Sequence, residues 1–159
     1  MAIRVLIADD HAVVRAGLRT LIAAEPGMEL VGEATGGHDA IQMAGALNPD
    51  VAVLDLSMPD LDGLEATRRI KRETPNVRIL ILTVHEDEAL LREAIRSGAS
   101  GYIIKHAAEA ELVSAIHTVE IGETYVHPKM IRALLAETEA AKPSPAPGNT
   151  PRDLLTPRE

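Results

Sequence analysis

The sequence predicts an α/β fold built on a doubly wound parallel sheet. Three observations carry this expectation. Short apolar runs alternate with stretches of helical periodicity, five times in succession. The third and fourth runs, VAVLD and RILILT, are almost continuously apolar, as central strands buried on both faces are. Turn formers separate the elements: Gly27, Gly36 and Gly37, Pro49, Pro75, Gly98 and Gly101.

Taken in order, Ile3–Ala8 reads as the first strand and Val13–Ala24 as a helix. Met28–Ala34 is the second strand and His38–Leu47 its helix. Val51–Asp55 is the third strand, with a helix over Leu64–Glu73. Arg78–Thr83 and a helix over Glu86–Ser97 follow. Gly98 stands where a left-handed residue closes a helix. Gly101–Lys105 is the fifth strand and Glu109–Ile121 the fifth helix. Right-handed crossovers restrict the strand order. Five units suit the flavodoxin-like order 2-1-3-4-5, with a topological switch point between strands 1 and 3. The alternation ends at Gly122, so residues 1–122 are expected to form one domain. Residues 123–140 read as a linker helix with Pro128 at its first turn. Residues 141–159 read as an extended linker with four prolines, Pro143, Pro145, Pro147 and Pro151, in 141–154, followed by a different opening, LTPRE.

Composition narrows the function. The 159 residues are 46% hydrophobic and 25% charged, which suits a globular domain. Aromatics are 1%, without Phe or Trp, so aliphatic side chains must fill the core. The absence of Cys excludes disulfides, thiolate metal sites and thiol nucleophiles. No apolar stretch is long enough to span a membrane and no signal-peptide pattern opens the chain, so a cytoplasmic protein without a membrane partner is expected. A formal charge of −8 argues against a nucleic-acid surface spread over these residues.

The chemistry lies at the ends of the apolar runs. Asp9 and Asp10 close the first, Asp55 the third, Thr83 the fourth and Lys105 the fifth. Ligands in open α/β sheets bind outside the carboxyl ends of strands beside the switch point, which gathers these groups in one pocket. Magnesium takes one or two carboxylates and keeps room for water and phosphate oxygens. Asp10 and Asp55 are candidates for direct ligation, with Asp9 acting through a water. Without a cation, clustered carboxylates repel one another and their pKa values rise. An oriented Asp55 can accept a phosphoryl group as an aspartyl phosphate. The loose transition state asks the protein mainly for position and charge. Lys105 then pairs with a phosphoryl oxygen, and Thr83 donates its hydroxyl to another.

These residues lie in VLIADDH, VLDLSMPDLDG, ILILTVH and GYIIKHA, over about residues 3–122. Together the motifs resemble a two-component response-regulator receiver domain. The resemblance implies that Asp55 is the phosphoacceptor and that Asp10, Asp55 and the Ser57 backbone carbonyl ligate magnesium, with Asp9 helping through a water. It makes Thr83 the switch hydroxyl, Lys105 the phosphate-pairing lysine and Tyr102 the aromatic whose rotamer reports the state. It assigns Met58, Pro59 and Gly63 to the loop after the phosphoacceptor. The DDH opening, GYIIKHA and the extra helix are similar to the NarL/FixJ branch of transcription regulators. LTPRE is similar to the start of the LuxR-type helix-turn-helix domain of that branch. The implied partners are a sensor histidine kinase, a second copy on phosphorylation, and DNA through the C-terminal domain.

Several positions depart from the commoner receiver pattern. His106 stands where many receivers have Pro. Val84 is larger than the residue usual after the switch threonine and narrows access to the site. Ser57 and His85 hold the variable positions flanking the acyl phosphate, where they tune its lifetime. The six histidines show no metal-ligand spacing, and Arg68, Arg69, Lys71 and Arg72 read as a solvated helix face. Two surfaces, the first and fifth helices or the fourth helix, fifth strand and fifth helix, are candidate dimer faces. An aspartate-nucleophile phosphatase of the haloacid-dehalogenase type is the alternative enzyme reading, but it calls for an acid two residues after the nucleophile, where this chain has Ser57. A pseudo-receiver that only binds partners would not need the acids, Thr83 and Lys105.

Overall fold

The computed structural model describes residues 2–126 together with Met130 and Ile131. Five strands alternate with five helices: β1 (Ile3–Ala8), α1 (Ala12–Ala23), β2 (Met28–Ala34), α2 (Gly37–Leu47), β3 (Val51–Asp55), α3 (Gly63–Glu73), β4 (Arg78–Thr83), α4 (Glu88–Arg96), β5 (Gly101–Ile104) and α5 (Ala108–Glu120). A two-residue strand, β6 (Tyr125–Val126), follows. All neighbouring strands are parallel, in the order β2-β1-β3-β4-β5-β6. The predicted doubly wound sheet and its 2-1-3-4-5 order are therefore present.

The sheet has six strands rather than five. Tyr125 pairs with Gly101 and Val126 with Tyr102. Two residues are too few to show a period, which is why the pattern read as finished at Gly122. The compact unit that holds the sheet runs to Val126. The linker helix expected over residues 123–140 does not begin at 123, because Tyr125 and Val126 pair with β5 as a strand. Met130 and Ile131 are helical, and the rest of 127–140 and all of 141–159 lie outside the described residues.

Strand alternation explains the layers. Val5 and Ile7 of β1, Val51 and Val53 of β3, and Leu80 and Leu82 of β4 share a core with Leu18 and Ile22 of α1 and Leu112, Ile116 and Val119 of α5. Leu6, Ala52, Leu54, Ile79 and Ile81, the intervening residues, are also fully buried. Their positions point to the opposite face, where α2 touches α3 and α3 touches α4. Small Ala40, Ala44, Ala66 and Ala94 on those helices are buried, which lets them lie close on branched strands.

Two glycines answer local needs. Gly98 has φ +108, the left-handed conformation expected after α4. Gly63 opens α3 directly against the end of β3. A Cβ there would lie 2.5 Å from the Asp55 carbonyl oxygen and 2.9 Å from Leu56 Cα, both backbone atoms that cannot swing aside. The Gly63 N–H donates to the Leu56 carbonyl at 2.8 Å, and the Asp62 side chain caps α3 by accepting from Glu65 N at 2.9 Å. Gly63→Ala should therefore cost about 1–3 kcal/mol, as overpacking does. Urea denaturation checks this, and an unchanged midpoint would show that the loop yields freely.

Candidate functional site

The strand ends bring the predicted groups together. Asp9 follows β1, Asp55 ends β3, Thr83 ends β4, and Lys105 follows β5 as the first residue of a short 3-10 turn rather than the last of the strand. The Lys105 ammonium lies 3.0 Å from Asp9 Oδ2 and 3.3 Å from Asp55 Oδ1. Asp9 is 0% exposed and Asp55 2%, so water does little to screen either carboxylate. Asp10 is more open, its side chain 27% exposed.

Each carboxylate is held from several directions. Asp9 Oδ1 accepts from the His11 backbone N–H at 2.8 Å, and the Arg15 guanidinium donates to the Asp9 carbonyl at 2.6 Å. Asp55 Oδ1 accepts from Ser57 N–H at 3.3 Å. Asp55 Oδ2 is buried and has no hydrogen-bond partner among the described residues. Burial, and then the charge of Asp9, push the Asp55 carboxyl above the usual carboxylate range, against the pull of Lys105 and the Ser57 N–H. Burial opposes the charge on Lys105, yet its bond to Asp9 and the charges of Asp55 and Asp9 win and raise its pKa.

The remaining predicted residues form a second, linked group. Thr83 Oγ1 accepts from His85 N–H at 3.1 Å. The Tyr102 hydroxyl donates to the His85 carbonyl at 3.1 Å, and its ring is fully buried. Burial, with the nearby Asp87 charge, pushes the Tyr102 phenol up to about 12, while Thr83 pulls the other way. The phenol therefore stays a donor at neutral pH. Val84 is 64% exposed and His85 and His106 are also exposed, so none of the three is packed into the pocket.

Two residues of the site escaped the sequence reading. His11 Nδ1 lies 3.2 Å from both Asp9 Oδ1 and Asp10 Oδ1. Its signal was the DDH string itself, in which the third letter was read only as part of a motif. Asp60 caps α2 from the loop after Asp55. Its carboxylate accepts from Gly37 N at 2.9 Å and His38 N at 3.1 Å, which hold its pKa down. The available signal was a helix opening on Gly36 and Gly37 with no capping side chain of its own.

The three carboxylates fit a hard divalent cation. Ligand atoms of Asp9, Asp10, His11 and Asp55 all lie within 4.8 Å of one another. The buried, unpartnered Asp55 Oδ2 and the uncompensated carboxylate charge are what such an ion would satisfy.

The family model described as "Response regulator receiver domain" matches residues 5–117. The chain belongs to this family. Response regulator GacA from Pseudomonas viridiflava is 38% identical over 157 residues, covering 99% of this chain and 72% of that protein. A crystal structure of a LuxR-family two-component response regulator from Aurantimonas sp. SI85-9A1 superposes with a TM-score of 0.82 at 37% identity, over 87% of this chain and 99% of that one. The isolated receiver domain of RcsB from Salmonella enterica serovar Typhimurium, in the presence of the phosphomimetic BeF3-, superposes at 0.76 with 28% identity, over 83% of this chain and 98% of that one. The function of this domain is accordingly that of a phosphorylation switch in two-component signalling. Among the described residues no helix is long and apolar enough to cross a membrane.

The direction of the Asp55 shift makes a stability prediction. A folded-state pKa above the unfolded one means that ionised Asp55 costs stability, and the cost grows as pH rises through the folded value. Without divalent ions, Asp55→Asn should raise the melting temperature at neutral pH. The gain should shrink as pH falls toward the unfolded carboxylate value of about 4. A melting temperature lowered at pH 7 would show that attraction to Lys105 outweighs burial.

Proposed function

We propose that Asp55 is the phosphoacceptor and that the pocket works with magnesium. Asp10, Asp55 and the Ser57 backbone carbonyl would hold the ion, with Asp9 acting through a water. The ion would neutralise acidic charge and draw phosphoryl oxygens into place. The reading rests on one observation above all: a buried carboxylate with a free oxygen, 3.3 Å from an ammonium and beside two more acids.

In the reaction a carboxylate oxygen of Asp55 attacks phosphorus while the bond from phosphorus to the donor breaks. The donor is a phosphohistidine of a sensor kinase, whose imidazole leaves with a proton from solvent, or a small acyl phosphate, whose carboxylate leaves. Lys105 stays beside the new acyl phosphate and pairs with one phosphoryl oxygen. Thr83 exchanges its bond from His85 N–H for a donated bond to another. Tyr102 then loses the backbone arrangement that holds its hydroxyl on His85, and its rotamer shifts. The phosphoryl group thus selects an active state already in equilibrium with the inactive one. The output is homodimerisation and a changed relation to a C-terminal DNA-binding domain that controls transcription in the cytoplasm. Val84 and His85 set access to the acyl phosphate and its lifetime. Self-phosphorylation from small donors and self-dephosphorylation are the only turnover expected. Ser57 at the second position after Asp55 cannot serve as the acid of a haloacid-dehalogenase phosphatase.

Labelling with a small phosphodonor should require magnesium and stop at one phosphoryl group. Asp55→Asn should abolish it while circular dichroism stays unchanged, and equal labelling of that variant would remove Asp55 from the role.

Lys105→Ala and Thr83→Ala test the switch. Both should keep detectable labelling at Asp55 but lose the phosphorylation-dependent shift toward dimer in sedimentation. A full dimer response in both variants would overturn the proposed relay.

A further inference from the structure

His11 stands on the rim of the acidic pocket and takes no part in the phosphoryl chemistry above. Its position is nonetheless specific. The Nδ1 atom is 3.2 Å from Asp9 Oδ1 and 3.2 Å from Asp10 Oδ1. Adjacent ligands around a dication with bonds of about 2.0–2.2 Å lie roughly 3–3.5 Å apart. The imidazole nitrogen, within hydrogen-bond distance of Asp9, therefore stands at ligand-to-ligand spacing from each of two carboxylate oxygens, and all the ligand atoms of the cluster lie within 4.8 Å of one another. The ring is held there by its own backbone, since the His11 N–H is fixed on Asp9 Oδ1. Its side chain is 63% exposed, so no packing prevents a small turn toward an arriving ion. A second, independent observation points to a ligand here: Asp55, 2% exposed, has a buried oxygen without a hydrogen-bond partner among the described residues and belongs to the same cluster.

The chemical nature of the donors decides the class of ion. Magnesium and calcium are hard and take oxygen ligands almost alone. Zinc, nickel and copper bind imidazole well, and sites of mixed nitrogen and oxygen donors hold these metals more tightly than earlier members of the row. A pocket of three carboxylates alone would suit magnesium. The same pocket with an imidazole at its edge suits a transition metal.

We propose that His11 is a nitrogen ligand that lets the acidic pocket bind a transition-metal dication of the zinc class, in competition with magnesium. The proposal rests on the reading of the pocket as a dication site. With zinc in place, the carboxylates that magnesium needs are engaged, and Asp55 is withheld from phosphoryl transfer. The site then acts as a metal-dependent brake on the switch.

The test uses the full chain without an affinity tag, at fixed neutral pH, followed by two NMR measurements. Amide shifts of Asp9, Asp10 and Asp55 report binding of magnesium or zinc to the pocket. Long-range proton–nitrogen correlations of the imidazole rings report which histidine takes the metal. One equivalent of zinc should move the His11 ring nitrogen ahead of those of the other histidines. His11→Ala should lower the ratio of zinc to magnesium affinity by at least the roughly 10- to 100-fold that loss of an outer-sphere partner costs. The exposed side chain makes that variant safe to fold, and its backbone bond to Asp9 remains. Zinc binding that leaves the His11 ring unchanged, or an unchanged affinity ratio in His11→Ala, would overturn the proposal while leaving the magnesium reading in place. If neither cation shifts the Asp9, Asp10 and Asp55 amides, the pocket is no dication site and both readings fall.

Discussion

The bridge from Lys105 to Asp9 and Asp55 is the constraint around which the rest of the domain is arranged. It joins the ends of three strands through one ammonium, at 3.0 and 3.3 Å. Removing the ammonium would leave two buried carboxylates uncompensated, which costs about 3–5 kcal/mol, a large share of the 5–15 kcal/mol that holds a typical domain together. Lys105 is therefore structural, whatever its part in the proposed phosphoryl chemistry. Yet one ammonium cannot balance three acids, and Asp55 keeps a raised affinity for protons. The site holds strain of an electrostatic kind, which a cation or a covalently attached group can relieve. A fully neutralised pocket would be more stable and would have nothing to gain from a ligand.

The surroundings link this strain to three separate elements. Gly63 lets α3 begin against the backbone of Asp55 and Leu56, so the loop between them has little slack. Asp60 ties the same loop to the first turn of α2 through two N–H groups. On the other side, the backbone of His85 is held twice, by Thr83 at its N–H and by Tyr102 at its carbonyl. The Thr83 and Tyr102 hydroxyls thus share the backbone of one residue as partner. The relay proposed above is short because it would use both polar groups of that residue, with main chain as its hinge.

Most of this was legible in the sequence, for reasons that differ by residue. VAVLD and RILILT read as central parallel strands, and Asp55 and Thr83 at their ends, with Asp9 and Asp10 after the first strand, fall at the sheet's carboxyl edge. Gly98 was readable because left-handed backbone strongly selects glycine. What stayed hidden did so for different reasons. The cap that Asp60 places on α2 spans more than twenty residues and leaves no local pattern. His11 belonged to no histidine spacing, since its partners are the two residues before it. The sixth strand was too short to be periodic, and the single turn that takes Lys105 out of β5 leaves no periodicity of its own either.

That sixth strand has a consequence for handling the molecule. A strand at the border of a sheet displays unpaired N–H and carbonyl groups that can recruit another chain. Here β6 covers Gly101 and Tyr102, and the Tyr125 hydroxyl is fastened to Glu111 at 2.8 Å. The glycine under it is crowded as well, since a Cβ at Gly101 would come within 3.2 Å of the Tyr125 carbonyl oxygen and Val119 Cγ1. Trimming the chain at Gly122, where the helical and strand periodicities end, would strip this cover from an almost wholly apolar strand. The resulting fragment would carry all the groups proposed for phosphoryl transfer and also a sticky border, prone to pair with its own copies and to be mistaken for a regulated oligomer.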